Sequence, residues 1–170
     1  MGADELSARL WRERRQLDYL LFLLETQLLH LQAGNWHRLN YTADELEKVV
    51  ESLRFDSLAR GVEASALVSE WKAPEQTDLP SIVTLAPSEM WKELLEGHRH
   101  ALSLLLQGID DAAQANVSLL ASGVGQGRVP AGDELARDDL AYIAREANTR
   151  RALAAVKATA LPAVREFLSR

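Results

Sequence analysis

His98 and His100, with Glu96 nearby, are the residues whose types come closest to a metal site. Residues two apart on a helix point about 200° from each other, so the two imidazoles cannot bind the same ion. A di-iron helical bundle would need paired Glu-x-x-His motifs, and the sequence contains none. We therefore expect neither a metal nor a cofactor, with His98 on the apolar side of its helix and His100 outside it.

Three further segments could suggest chemistry, and each has a simpler interpretation. The glycine-rich residues 123–127 lack a preceding strand, the G-x-G-x-x-G spacing and the Lys-Ser/Thr of a phosphate-binding loop, so we interpret them as a linker. The acidic pairs at 110–111 and 138–139 diverge by about 100° on a helix, which favours solvated surface. No Ser, His and Asp combination can be assigned from spacing, and we expect no enzymatic activity.

Asn116 is a polar residue on an otherwise apolar helical seam. A buried amide at such a position fixes the register of neighbouring helices, which is the first interpretation. The alternative is a hydrogen-bonding anchor for a bound peptide, and the sequence leaves both open.

The composition favours a single helical domain. Of 170 residues, 47% are hydrophobic and 26% charged, whereas only 6% are aromatic, which favours helices over strands. The absence of cysteine excludes disulfide scaffolds and Cys-based metal sites. The acidic start lacks the features of a signal peptide, and the longest apolar run, residues 19–24, is far too short to span a membrane. We therefore expect a cytoplasmic protein with no membrane insertion.

The charge of the chain is unevenly distributed. A net charge of −6 argues against nucleic-acid binding, which needs a basic surface. Residues 61–123 hold three basic and nine acidic side chains, whereas residues 124–170 hold eight basic and six acidic ones. The basic last third could dock on the acidic middle or reach an acidic partner, and both remain open.

Leucine spacing predicts the first two helices. Leucines recur every seven residues from Leu10 to Leu31, which indicates a helix over 4–33 that ends at Gly34. The same interval continues in a second helix over 36–71. The short break between them predicts an antiparallel hairpin.

Three prolines mark residues 72–87 as a linker, with a short turn of helix around 79–85. The third long helix is predicted over 88–122. Residues alternately three and four apart are mostly apolar there, which is the most regular such pattern in the chain. We therefore predict a bundle core over 1–122.

A Gly-rich hinge over 123–132 precedes a C-terminal segment over 133–170, which the hinge would allow to move. The segment holds a fourth long helix to about residue 159 and a few further turns from Pro162, which suits the first position of a helix. The predicted fold class is all-α, an elongated antiparallel bundle or coiled coil of about four long helices with a short C-terminal helical segment. The apolar stripe of the fourth long helix could pack on the bundle or bind a partner helix, and its periodicity favours neither arrangement.

Four segments resemble the FlgN family of flagellar export chaperones. Residues 17–40, from Leu-Asp-Tyr-Leu-Leu-Phe-Leu-Leu to Gly-Asn-Trp-His-Arg-Leu-Asn, resemble the first helix and turn of that family, and residues 53–61 its second helix. Residues 91–120 are similar to its third helix, with a late Asn before a Leu pair. Residues 161–168 look like the ending of actinobacterial members. The resemblance covers nearly the whole chain, in order.

The resemblance implies a cytoplasmic chaperone of the flagellar type III export apparatus. It would bind the C-terminal helices of hook–filament junction (hook-associated) proteins and deliver them to the export gate protein. Family members bind substrate mainly through their C-terminal half, which suggests the last apolar stripe and the chain end as the binding surface. These residues are Leu135, Leu140, Ile143, Leu153, Val156, Phe167 and Leu168.

Tyr142 is a candidate contact with the export gate, because relatives use a C-terminal tyrosine and this is the only one in the last third. The alternative is a tyrosine that packs in the bundle. A competing hypothesis for the whole chain is a non-catalytic structural bundle that acts as a homodimer or scaffold. We expect a monomer or a weak homodimer.

Overall fold

The structure is a computed structural model that describes residues 2–73, 77–123 and 135–169, with the side chains of 123 and 135–141 outside the description. Its helices are α1 (Gly2–Gln32), α2 (Leu39–Glu70), α3 (Leu79–Leu85), α4 (Glu89–Gly123), α5 (Leu135–Lys157) and α6 (Pro162–Ser169). No strand occurs in the described residues, so the all-α prediction is confirmed. Apart from residue 123, which ends α4, the hinge predicted over 123–132 lies outside the described residues.

The break between α1 and α2 has the geometry that its glycine predicts. Gly34 has φ +75°, and the N–H groups of Gly34 and Asn35 donate to the carbonyls of Leu31 (3.2 Å) and His30 (2.8 Å). This pair of bonds ends the helix and satisfies carbonyls that would otherwise lack a partner. A single 3-10 turn, Trp36–Arg38, then leads into α2.

α1 and α2 run in opposite directions, as their short connection requires. Arg9, near the start of α1, pairs with Glu63 late in α2, whereas Tyr19 donates to Glu45 early in α2. The leucines spaced seven apart are buried in both helices. They are Leu10, Leu17, Leu24 and Leu31 in α1, and Leu39, Leu46 and Leu53 in α2.

α4 packs beside α1 in the same direction. Ser7 of α1 bonds His98 of α4, and Gln27 further along α1 bonds Asn116 further along α4. α5 contacts α2 and α4, so the order of the four long helices around the core is α1, α2, α5, α4. The four long helices alternate in direction along the sequence. Around the core, however, two neighbouring pairs are parallel, α1 with α4 and α2 with α5. α4 does not fold back next to α2, because the connection between them crosses one end of the bundle.

The Pro-rich connection is built around α3. Asp78 caps this helix by accepting the N–H of Ser81 at 2.9 Å, and Pro80 occupies its first turn, where no backbone donor is needed. Leu79 and Ile82 are fully buried. The linker is therefore anchored to the core through one apolar face of a two-turn helix.

The C-terminal segment turns sharply between α5 and α6. Leu161 has φ +48° and ψ +59°, a left-handed conformation that is uncommon for a branched residue. Pro162 starts α6, as predicted. Leu161 is buried, so core packing holds this residue in a conformation that it rarely adopts.

Asn116 is the centre of a buried polar layer. Its amide N–H groups donate to the carbonyls of Leu24 (2.9 Å) and Ala112 (2.8 Å), and its oxygen accepts from Gln27 (3.0 Å). Thr42 of α2 in turn donates to Gln27 at 2.6 Å. The layer joins α1, α2 and α4 at one level, so Asn116 is buried and bonded within the bundle, as the first interpretation predicts.

We expect Asn116→Ala to lower the free energy of unfolding by about 2–3 kcal/mol, because it leaves the buried Gln27 Nε2 without its acceptor and removes the second hydrogen bonds to the Leu24 and Ala112 carbonyls. Urea denaturation followed by circular dichroism measures this change. Gln114→Ala, an exposed site half a turn away, should stay within about 0.5 kcal/mol of the parent. Equal effects of the two substitutions would contradict the role of the layer.

Candidate partner-binding surfaces

The end of the chain is packed into the bundle. Val156 on α5 and Val164, Phe167 and Leu168 on α6 are buried, and α6 contacts α2 and α3. Phe167 and Leu168 would be poorly placed at a chain end unless something covered them. In the structure the chain itself covers them.

Arg60 of α2 fastens this segment to the bundle. Its Nη1 donates to the carboxylate of Glu13 at 2.6 Å, and its Nη2 donates to the carbonyl of Ala163 at 3.2 Å. The guanidinium also lies 4.3 Å from the centre of the Phe167 ring. Arg60 therefore contacts α1 and α6 from α2, and a planar guanidinium can make all three contacts at once.

The surroundings of Arg60 are charged and largely buried. Glu13 and Arg60 are almost completely inaccessible, and next to them Arg9 bridges Asp56 and Glu63 at 3.0 and 2.8 Å. Burial raises the pKa of the Glu13 carboxyl, and the Arg60 guanidinium opposes that rise by favouring the ionised form. A buried pair of this kind costs most when one partner is removed, because the other charge stays buried alone.

Surface ion pairs complete the docking of the basic segment. Arg165 on α6 reaches Asp110 on α4 at 2.9 Å, and Arg151 on α5 reaches Glu47 at 3.0 Å and also pairs with Asp44. The basic last third therefore docks on acidic residues of both the middle and the first third of the chain. These pairs are exposed, and each adds little to stability.

The first half of α5 is exposed where its side chains are described. Ile143 is 60% accessible and Tyr142 38%, and the next two residues are also exposed. Arg145 contacts the connection between α1 and α2, since its guanidinium lies 4.1 Å from the centre of the Trp36 ring. The second half of α5 is therefore anchored, whereas Tyr142 and Ile143, the large apolar side chains described before it, are accessible.

The structure divides the predicted binding stripe into three parts. Ile143 is accessible, Leu153 is half-buried against the core, and Val156, Phe167 and Leu168 are buried within it. The side chains of Leu135 and Leu140 lie outside the described residues. Partner binding by the stripe stays a prediction, and Ile143 is its exposed member among the described residues. Contact of Tyr142 with the export gate also stays a prediction, and this side chain is accessible.

A second apolar surface lies on α2, and sequence reasoning missed it. Phe55, Leu58 and Val62 are 71, 75 and 72% accessible, the highest values among the large apolar side chains described. Their spacing of three and four residues places them on one face of the helix. The apolar spacing of these residues is present in the sequence. The stronger leucine pattern of the buried face of α2 made the second apolar face hard to recognise.

Ser7 and His98 form a buried pair that sequence spacing could not find. His98 Nε2 lies 3.1 Å from Ser7 Oγ, and Arg14 Nη1 lies 3.4 Å from His98 Nδ1. Because a guanidinium only donates, Nδ1 accepts and Nε2 carries the proton that it donates to Ser7. A catalytic Ser–His pair needs the opposite arrangement, with a carboxylate at Nδ1 and Nε2 free to take the serine proton. Burial and the nearby Arg14 lower the pKa of His98 to about 4.

Within the described residues, no group of three or more His, Cys, Asp or Glu side chains could hold a metal ion. Among those residues, no helix is long and apolar enough to cross a membrane. His98 is buried on the α4 seam and His100 is exposed, as their positions predict.

Comparison of the chain with protein-family models, curated proteins and solved structures finds no match in any of the three.

We expect Arg60→Lys to loosen α6 selectively, because an ammonium cannot reach Glu13 and the Ala163 carbonyl together or stack on Phe167. Amide hydrogen exchange should become at least about tenfold faster over 162–169 relative to α1. Arg99→Lys on α4, where the parent side chain pairs with Glu96 of its own helix, is the matched control and should leave α6 unchanged. Unaltered exchange in α6 of the Arg60 variant would show that Arg60 does not fasten it.

Acid should weaken the fold through His98. The unfolded chain takes up a proton near pH 6.5, whereas native His98 does so only near pH 4, so stability falls as the pH drops between these values. The contribution of His98 to this loss from pH 7.5 to pH 5 is about 2 kcal/mol in the free energy of unfolding, and the raised pKa of the Glu13 carboxyl acts in the opposite direction. Urea titrations at both pH values should show this loss reduced in His98→Gln and kept in His100→Gln. The same pH dependence in both variants would exclude His98 as its source.

Proposed function

We propose that this protein is a cytoplasmic export chaperone of the bacterial flagellum. It binds the C-terminal helices of hook–filament junction proteins, keeps them from assembling early, and hands them to the export gate. The client class comes from the resemblance of residues 17–40, 53–61, 91–120 and 161–168 to the FlgN family. The observation that supports the binding role is the exposure of Ile143 and Tyr142 on α5, a helix whose second half is docked on the bundle.

A client helix can extend the apolar surface of α5 without disturbing the bundle. Ile143 is accessible, whereas Val156 and Leu168 already pack in the core. An amphipathic client helix with apolar residues three and four apart would cover Ile143 and the neighbouring face of α5. Because Ile143 is the one exposed member of the stripe among the residues described, we expect a small interface and a complex that dissociates readily, as delivery to an export gate requires.

Tyr142 is the proposed contact with the export gate. It lies next to Ile143 in sequence and is about one-third accessible. Adjacent residues on a helix point about 100° apart, so client and gate can approach α5 from different sides. The protein then acts by binding alone, without catalysis.

The alternative function is a structural bundle that acts as a homodimer or scaffold. The exposed α2 residues Phe55, Leu58 and Val62 favour it, because a helical face of this kind commonly packs against another helix. A melting temperature that rises with protein concentration and does not respond to client peptides would identify this function.

Calorimetric titration with C-terminal peptides of junction proteins tests the chaperone proposal. We expect Ile143→Ser to weaken peptide binding about tenfold, because it removes an accessible apolar side chain from the contact. Leu104→Ser on α4, where the parent side chain is 54% accessible, should bind like the parent protein. Point substitution is cleaner than deletion of residues 133–170, which would also uncover the core around Phe167.

Absence of binding by the parent chain would overturn the chaperone function. Equal binding by the two variants would overturn the placement of the site on α5.

A further inference from the structure

The exposed residues of α2 lie on a regular helical seam. Glu51, Phe55, Leu58, Val62 and Ser65 are spaced four, three, four and three residues apart, and all five are exposed. This is the spacing by which two helices pack along a shared line. We call these five positions the α2 seam. Its three central members are apolar and its two ends are polar.

The side-chain sizes along the α2 seam suit a copy of itself in the opposite direction. In such a pair Phe55 enters the space between Leu58, Gly61, Val62 and Ser65 of the facing helix. Gly61 is exposed and has no atom within 4 Å of the position that a Cβ would take. The largest side chain of the seam thus meets the part of the facing helix with the smallest ones.

Glu51, the one charged member of the seam, disfavours the parallel direction in the same register. Pairing about a two-fold axis at Leu58 places Glu51 of each copy opposite Ser65 of the other. A parallel pair in the same register would place Glu51 against Glu51, and facing carboxylates repel. Size and charge therefore point to the same arrangement.

We infer that a second copy of this chain docks antiparallel on the α2 seam, with Leu58 against Leu58 at the two-fold axis. The contact has three apolar layers, Phe55 with Val62, Leu58 with Leu58, and Val62 with Phe55. This is small for a permanent dimer and is typical of a weak one that forms and separates. Ile143 lies on α5, outside the seam, so the inference does not depend on the proposed function.

Cysteine cross-linking tests the geometry directly, because the chain contains no cysteine of its own. Two single variants, Glu51→Cys and Ser65→Cys, are oxidised separately and as an equimolar mixture. The antiparallel seam predicts covalent dimers in the mixture, formed by one copy of each variant, and little in either sample alone. Ser103→Cys, at an exposed site on α4, measures random collision. Dimers in each separate sample, or none above the collision level in the mixture, would overturn the inference.

Sedimentation equilibrium of the cysteine-free chain supplies the second test, and Leu58→Glu is its variant. The parent should form dimers as its concentration approaches about 1 mM, and the substitution should abolish them. Leu104→Glu places the same charge at an exposed leucine of α4 and should dimerise like the parent. A monomeric parent, or a Leu58→Glu chain that still dimerises, would overturn the inference. If Leu58→Glu stays folded and monomeric and still binds junction-protein peptides, the dimer and the chaperone activity are separate properties.

Discussion

The buried Glu13–Arg60 pair is the interaction on which the arrangement of the chain depends. A buried carboxylate needs a cation, and Arg60 supplies it while directing its remaining donors and its flat face toward α6. Removing the C-terminal segment would leave the guanidinium with Glu13 but without Ala163 and Phe167. The chain end is thus part of the polar chemistry of the core, and the α1–α2 hairpin and α6 are linked in stability.

Apolar packing and a strained turn fix the second half of α5 to the bundle. Its second half is fixed by buried residues such as Val156 and by the turn at Leu161, whose left-handed backbone is held by packing. Its first half carries Ile143 in solvent. A helix that is rigidly held at one end presents its free side chains in a defined place, and this lowers the entropic cost of binding a second helix.

Sequence periodicity predicted most of the fold because the core is leucine at heptad spacing. The intervals from Leu10 to Leu31 and the break at Gly34 placed α1 and the turn to within two residues. Asn116 and His98 were correctly assigned to the seam of α4, since a position in a repeat fixes its face. The parallel packing of α1 and α4 could not be predicted, because it depends on where the Pro-rich connection lands and not on any local pattern.

The candidate site was harder to predict than the fold. Apolar spacing identified Val156, Phe167 and Leu168 but could not tell packing against the core from packing against a partner. Charged residues such as Glu13 and Arg60 are expected at the surface when only the sequence is known. These two are 47 residues apart in the chain, and the fold brings Arg60 Nη1 within 2.6 Å of the Glu13 carboxylate. The exposed α2 seam was not predicted, because α2 carries apolar residues on two opposite faces. The more regular leucine spacing of the buried face dominates the periodicity of the helix.

The most direct test of the account compares amide hydrogen exchange of the intact protein with and without a C-terminal junction-protein peptide. The account predicts slower exchange around 142–148 when the peptide is bound, with no change over 152–168, because the client covers the free half of α5 while the chain end stays docked. Faster exchange over 162–168 on peptide binding would contradict it, since the client would then take the place of α6 on the bundle.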